Sequence, residues 1–162
     1  MTRYQEQMLP MIIEEANEAG YRLEIVNGLG VWEFQPALRH YEASRRIAAS
    51  VKPQSQGGDC ACYTAEDIYV RFPDDSLRRP DVVVFCRRPD EQDEAVTEVV
   101  NRGSERKDLE LSPPFYLAQG VKDVIVLDPY TGIVWHHRTE QGVERHQSPV
   151  DLSLRCGCFV TV

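Results

Sequence analysis

Residues 79–100 read RPDVVVFCRRPDEQDEAVTEVV, and the fold turns on this stretch. Residues 82–85 and 96–100 are apolar and largely β-branched, the composition of two neighbouring strands, and the acidic run between them reads as their connection. Asp81 stands at the mouth of the first strand and Glu98 stands inside the second. A carboxylate set into a strand costs free energy unless a cation or hydrogen bonds compensate it. If the strands pair, Asp81 approaches Glu98, and two carboxylates at close range repel unless one is protonated or a cation joins them. Mg²⁺ or Mn²⁺ meets that need, since hard ions take carboxylate, carbonyl and water oxygens. From the residues alone, a pair of surface carboxylates is the competing reading.

Outward from this stretch, the pattern is that of a mixed α/β chain. Residues 3–19 carry Met8, Met11, Ile12 and Ala16 on one side and glutamates on the other, with Gly20 as a stop, so a helix is expected. Tyr21, Leu23 and Ile25 alternate with Arg22 and Glu24 as in a half-buried strand, and Asn27-Gly28 is a strong hairpin signal. A second helix is expected over 36–51, with Ala37, Tyr41, Ser44, Ala48 and Val51 marking its apolar side and Pro53 beyond its end. Residues 121–127, VKDVIVL, suit a central strand. A turn at 128–132, a hairpin from Ile133 and a last strand over 152–162 follow. This order predicts a mixed sheet with flanking helices in one domain spanning 1–162.

Composition bounds the function. The net charge of −8 lacks the uniformly basic footprint of most nucleic-acid binders. Clustered carboxylates are nonetheless normal in metal-dependent nucleases, where bound cations reverse the local field. No apolar run reaches the roughly 18 residues of a membrane helix. The first residues lack the charged-then-apolar layout of a signal peptide, so a cytoplasmic location and no membrane partner are expected. Five cysteines, an odd number, then argue for free thiols in a reducing compartment. Cys60-x-Cys62 and Cys156-x-Cys158 would supply four zinc thiolates if they met in space, although that spacing is tighter than zinc sites usually show. The alternative is buried small side chains, with Cys156 and Cys158 on one face of the last strand. His136 and His137 would point to opposite faces of a regular strand and read as surface residues; Trp32 and Trp135 read as packing residues. Walker, Rossmann and H-E-x-x-H motifs are absent from the sequence.

Taken together, Tyr21-Arg22-Leu23-Glu24, Asn27-Gly28, His40, Pro80-Asp81-Val82, Glu98-Val99-Val100, Asp108, Tyr116, Gly120-Val121 and Asp128-Pro129 carry a pattern that resembles the Uma-type endonuclease family of bacteria. That family is a branch of the PD-(D/E)xK, restriction-endonuclease-like superfamily. The resemblance runs from about Tyr21 to Arg138. It implies a nuclease-like α/β core in which Asp81, Glu98 and the carbonyl of Val99 hold Mg²⁺ or Mn²⁺. It implies also that His40 sits near the site from the second helix; a partly buried structural histidine is the other reading. Glu24 is a further candidate carboxylate, against a place on the solvated face of the hairpin.

One departure stands out. The superfamily pattern puts a lysine two residues after the glutamate, where this chain has Val100. The Uma-type branch carries it on the following helix, and the matching position, counted from Asp108 and Tyr116, is Ser112. Serine supplies no charge to orient water or steady a pentavalent phosphate. Pro113-Pro114 follow, so Ser112 is expected to cap a shortened helix over 113–119. Lys107 is the first candidate substitute, with Arg102 and Arg106 beside it, each against the reading of a solvated charge. Along a continuous α-helix, however, Lys107 would be turned about 140° from the matching site. The leading expectation is a Mg²⁺-dependent DNA endonuclease, dimeric by analogy with folds that cut two strands. The alternatives are a catalytically inactive binding module of the same fold and a cysteine-held zinc protein.

Overall fold

A computed structural model of the chain describes residues 3–54, 60–87, 95–99 and 104–162, with the backbone alone for 3–6 and 95–98. In chain order the elements are α1 (Arg3–Glu18), β1 (Tyr21–Val26), β2 (Leu29–Phe34), α2 (Leu38–Ser50), β3 (Lys52–Pro53), β4 (Tyr63–Glu66), β5 (Val70–Arg71), β6 (Leu77–Arg78), β7 (Val82–Phe85), β8 (Ala95–Val99), a π turn (Lys107–Leu111), α3 (Ser112–Ala118), β9 (Asp123–Asp128), β10 (Ile133–Arg138), β11 (Gly142–Gln147), β12 (Asp151–Ser153) and β13 (Cys158–Thr161). They fall into two compact units. One comprises residues 1–36 and 69–79; the other comprises 37–68 and 80–162.

The smaller unit is α1 with a four-stranded sheet in the order β2-β1-β6-β5. The Asn27-Gly28 signal holds. Both residues take positive φ, 50° and 78°, as the tight turn between β1 and β2 requires. The expected alternation does not hold. Arg22, Leu23 and Glu24 are all buried, while Tyr21 is exposed. Glu24 is sequestered against basic and N–H partners. Its Oε2 lies 3.0 Å from Arg78 Nε, and its Oε1 accepts the Arg79 N–H at 2.7 Å. Trp32, expected to pack in the core or at an edge, is 56% exposed on the edge strand β2.

The larger unit is built on a six-stranded sheet in the order β11-β10-β9-β8-β7-β4. β7 and β8 pair antiparallel, as the opening stretch suggested, and β8 and β9 pair parallel. The α/β mixed sheet is therefore confirmed. The acidic connection at 88–94 lies outside the described residues. Val82, Val83, Val84 and the run Val124–Leu127 are buried without alternation, as expected of strands covered on both faces. Helix α2 lays Ala43 and Ile47 on Val82, Val84, Ile125 and Leu127, in a core shared with the three-stranded sheet β12-β13-β3. The buried side of α2 is His40, Ala43, Ser44 and Ile47. It is rotated from the expected stripe, and Tyr41 is exposed.

Two further expectations are corrected. Cys62 and Cys158 are joined by a disulfide, so not all the thiols are free. Cys156 lies in the turn before β13 rather than beside Cys158 on the strand, because Gly157 turns the chain with φ 86°. The histidine pair differs from its surface reading as well. His136 is buried, with Nε2 2.8 Å from Oδ1 of the buried Asp123.

Next to it, burial and then the neighbouring His136 hold His137 below the ordinary histidine value of 6.5. The unfolded chain thus takes up the His137 proton first as pH falls. Its contribution is intact above pH 6.5 and is lost as pH falls through the depressed folded value. The His137→Gln variant should accordingly show a flatter loss of denaturation midpoint below that pH than the parent chain; parallel profiles would contradict this.

Candidate functional site

Asp81 is the last residue before β7, and its carboxylate is buried. Its Oδ2 accepts the backbone N–H of Val99 at 2.8 Å and lies 3.0 Å from His40 Nε2. With Asp81 ionised, Nε2 carries the proton and donates it to Oδ2. Three elements meet at one oxygen: the start of β7, the end of β8 and the first turn of α2. The reason is local. Paired residues run Val82↔Thr97, Val83↔Val96 and Val84↔Ala95. One step further along this register, Asp81 stands opposite Glu98, where the β7 backbone leaves the ladder. The Asp81 side chain then takes the next β8 N–H in place of a backbone carbonyl, as buried donors must be satisfied. The Asp81 carbonyl meanwhile accepts the Asp67 N–H at 3.2 Å, tying the residue to the end of β4 as well.

Of the predicted site residues, the structure thus joins Asp81, His40 and Val99 directly. Glu98 is in β8, its backbone opposite Val126 of β9, and its side chain lies outside the described residues. Val100 also lies outside them. Glu24 belongs to the smaller unit, where its partners are Arg78 and Arg79. A cavity of about 350 Å³ lined by Arg39, Glu42, Arg46 and Leu127 among others contains none of these residues.

The segment around Lys107 corrects the expected cap. Ser112 takes helical angles, φ −67° and ψ −46°, and its N–H bonds to the Lys107 carbonyl five residues back. It is therefore an interior helical residue with no room to act as N-cap, and it is fully buried. The prolines explain the wider turn. Pro113 and Pro114 bring no N–H to the carbonyls four residues earlier, and their rings clash with such carbonyls in an α-helix. A π turn relieves that conflict. Lys107 is about one turn from Ser112 as a result, nearer in phase than a continuous α-helix would leave it. Its Nζ lies 3.8 Å from Oδ1 of Asp108, a buried carboxylate.

The donor chemistry suits a hard divalent ion. A buried carboxylate whose one oxygen is fixed by two donors keeps its orientation, and the Val99 peptide is adjacent to it.

The Uma2 family, described as "Putative restriction endonuclease", matches residues 5–156. The chain belongs to this family. A crystal structure of a "putative nuclease" from Anabaena variabilis superposes with a TM-score of 0.62 at 17% identity, covering 79% of this chain and 78% of that one. The likeness shows a shared fold, and together with the family match it is the restriction-endonuclease-like one. No curated protein matches. Uma2 membership agrees with the resemblance read from the sequence, and no helix among the described residues is long and apolar enough to cross a membrane.

Removing the Asp81 carboxylate should leave the Val99 N–H and the His40 ring unsatisfied in the interior. Asp81→Ala is expected to cost about 2–4 kcal/mol in urea denaturation, since two buried partners are stranded. Asp81→Asn, which still offers an oxygen to Val99, should cost clearly less. Equal losses in the two variants would mean that the carboxylate is held by something other than these bonds.

Proposed function

We propose that this Uma2 protein is a metal-dependent DNA endonuclease in which Asp81, Glu98 and the Val99 carbonyl hold Mg²⁺ or Mn²⁺. The observation that carries the reading is the triple junction at Asp81 Oδ2, where His40 and the Val99 N–H fix a buried carboxylate opposite position 98. A bound ion of this class polarises a phosphodiester, activates water and stabilises the leaving oxygen. The chain's own contribution is positional. His40 holds Asp81 in one orientation, and the Val99 N–H keeps the same oxygen in the plane of the sheet. Lys107 supplies the cation that Ser112 lacks, its phase corrected by the π turn, and its charge is directed to the phosphate that gains negative charge in the transition state. DNA is the substrate in this reading because the family and the hard-oxygen donor set both suit a phosphodiester.

Full burial of Ser112 favours one competing reading, a binding module of the same fold that has lost cleavage. The two are separated by incubating the protein with supercoiled, linear and single-stranded DNA in Mg²⁺ and in Mn²⁺. Cleavage is expected, and it should disappear in Glu98→Ala. Lys107→Met should slow it by about a hundredfold with the fold intact, the scale of losing one transition-state donor. No cleavage of any DNA form with either ion would overturn the endonuclease reading. A calorimetric titration lacking a carboxylate-dependent Mn²⁺ site would then support the binding module.

A further inference from the structure

The larger unit gathers its two Cys-x-Cys pairs into one place. Cys60 and Cys62 precede β4, the edge strand of the six-stranded sheet; Cys156 and Cys158 flank the turn into β13. Each pair lies on a backbone bend that departs from extended geometry. Cys62 has φ 47° and Gly157 has φ 86°. The sulfur of Cys60 lies 3.3 Å from that of Cys158 and 3.9 Å from that of Cys62. Those of Cys60, Cys156 and Cys158 are all within 4.8 Å of one another. A tetrahedron of thiolates around zinc, with Zn–S near 2.3 Å, has sulfurs about 3.8 Å apart. The observed separations bracket that edge. The bond between Cys62 and Cys158 contracts one edge and uses two of the sulfurs, but it gives no reason for Cys60 and Cys156 to converge on the same point.

We propose that, in the reduced chain, Cys60, Cys62, Cys156 and Cys158 hold one Zn²⁺ as a structural site. Binding displaces the four thiol protons, and the ion offsets the charge of thiolates that the surrounding core, including Leu152, Leu154 and Val160, would otherwise disfavour. The site joins stretches 96 residues apart, the approach to β4 and the start of β13, so zinc clips the three-stranded sheet to the edge of the central one. The disulfide and the metal exclude each other, since zinc requires Cys62 and Cys158 reduced. No part of this rests on the endonuclease reading, and its readouts do not involve DNA.

The test is elemental analysis of the full chain purified under reducing conditions without chelator, with thiols counted after denaturation without reductant. One zinc per chain and all five thiols titratable are expected. Replacement by Co²⁺ should give thiolate-to-metal charge-transfer absorption and intense tetrahedral d–d bands. Cys156→Ser decides between the two uses of the cluster, because Cys156 is outside the disulfide and only half-buried. It should weaken zinc binding by at least about a hundredfold in chelator competition, beyond what the partners of ligands contribute. A zinc-free protein with fewer titratable thiols would overturn the proposal in favour of disulfide bonding. So would zinc binding indifferent to Cys156→Ser, which would put the ion elsewhere.

Discussion

A single carboxylate oxygen ties together three elements of the larger unit. Asp81 Oδ2 receives the Val99 N–H and the His40 ring, so the start of β7, the end of β8 and the first turn of α2 are fixed to one another through it. The arrangement depends on burial at every partner. An exposed carboxylate would exchange these donors for water at little cost, whereas a buried one left with a missing donor costs free energy. Helix α2 is therefore registered on the sheet twice, by Ala43 and Ile47 in the apolar core and by His40 at its polar end. The second contact is directional in a way the first is not.

Much of this architecture was legible in the sequence because it rests on local or strongly patterned signals. Asn27-Gly28 is a hairpin turn by backbone sterics alone. The unbroken apolar runs 82–85 and 124–127 could only be strands covered on both faces or short helical pieces, and their β-branched content decides for strands. Asp81 before the first of them was legible as a site candidate for the same reason, since charge at the edge of an apolar run must be compensated.

The misreadings share a different cause. Glu24 and His136 are polar residues with a surface reading in the sequence, and each is buried beside a compensating partner on another strand: Arg78 for Glu24, Asp123 for His136. Periodicity carries no information about such partners. The convergence of the cysteine pairs depends on two bends, at Cys62 and Gly157, of which only the glycine hinted from the sequence. Trp32 reads from the sequence as a core or edge packing residue. It lies outside because β2 is the outer strand of its sheet, a fact of topology rather than composition.

The π turn at Lys107–Leu111 has a consequence for comparing this chain with its relatives. Matching residues by counting between two anchors assumes that every residue advances the helix by the same angle. Here the turn carries an extra residue, so positions on its two sides are in different frames. Ser112 matches the family lysine in number, counted from Asp108 and Tyr116, but number no longer measures direction around the axis. The useful coordinate across such a segment is angular. In comparing sequences across such a turn, a shift at this point preserves direction around the axis better than an ungapped count does.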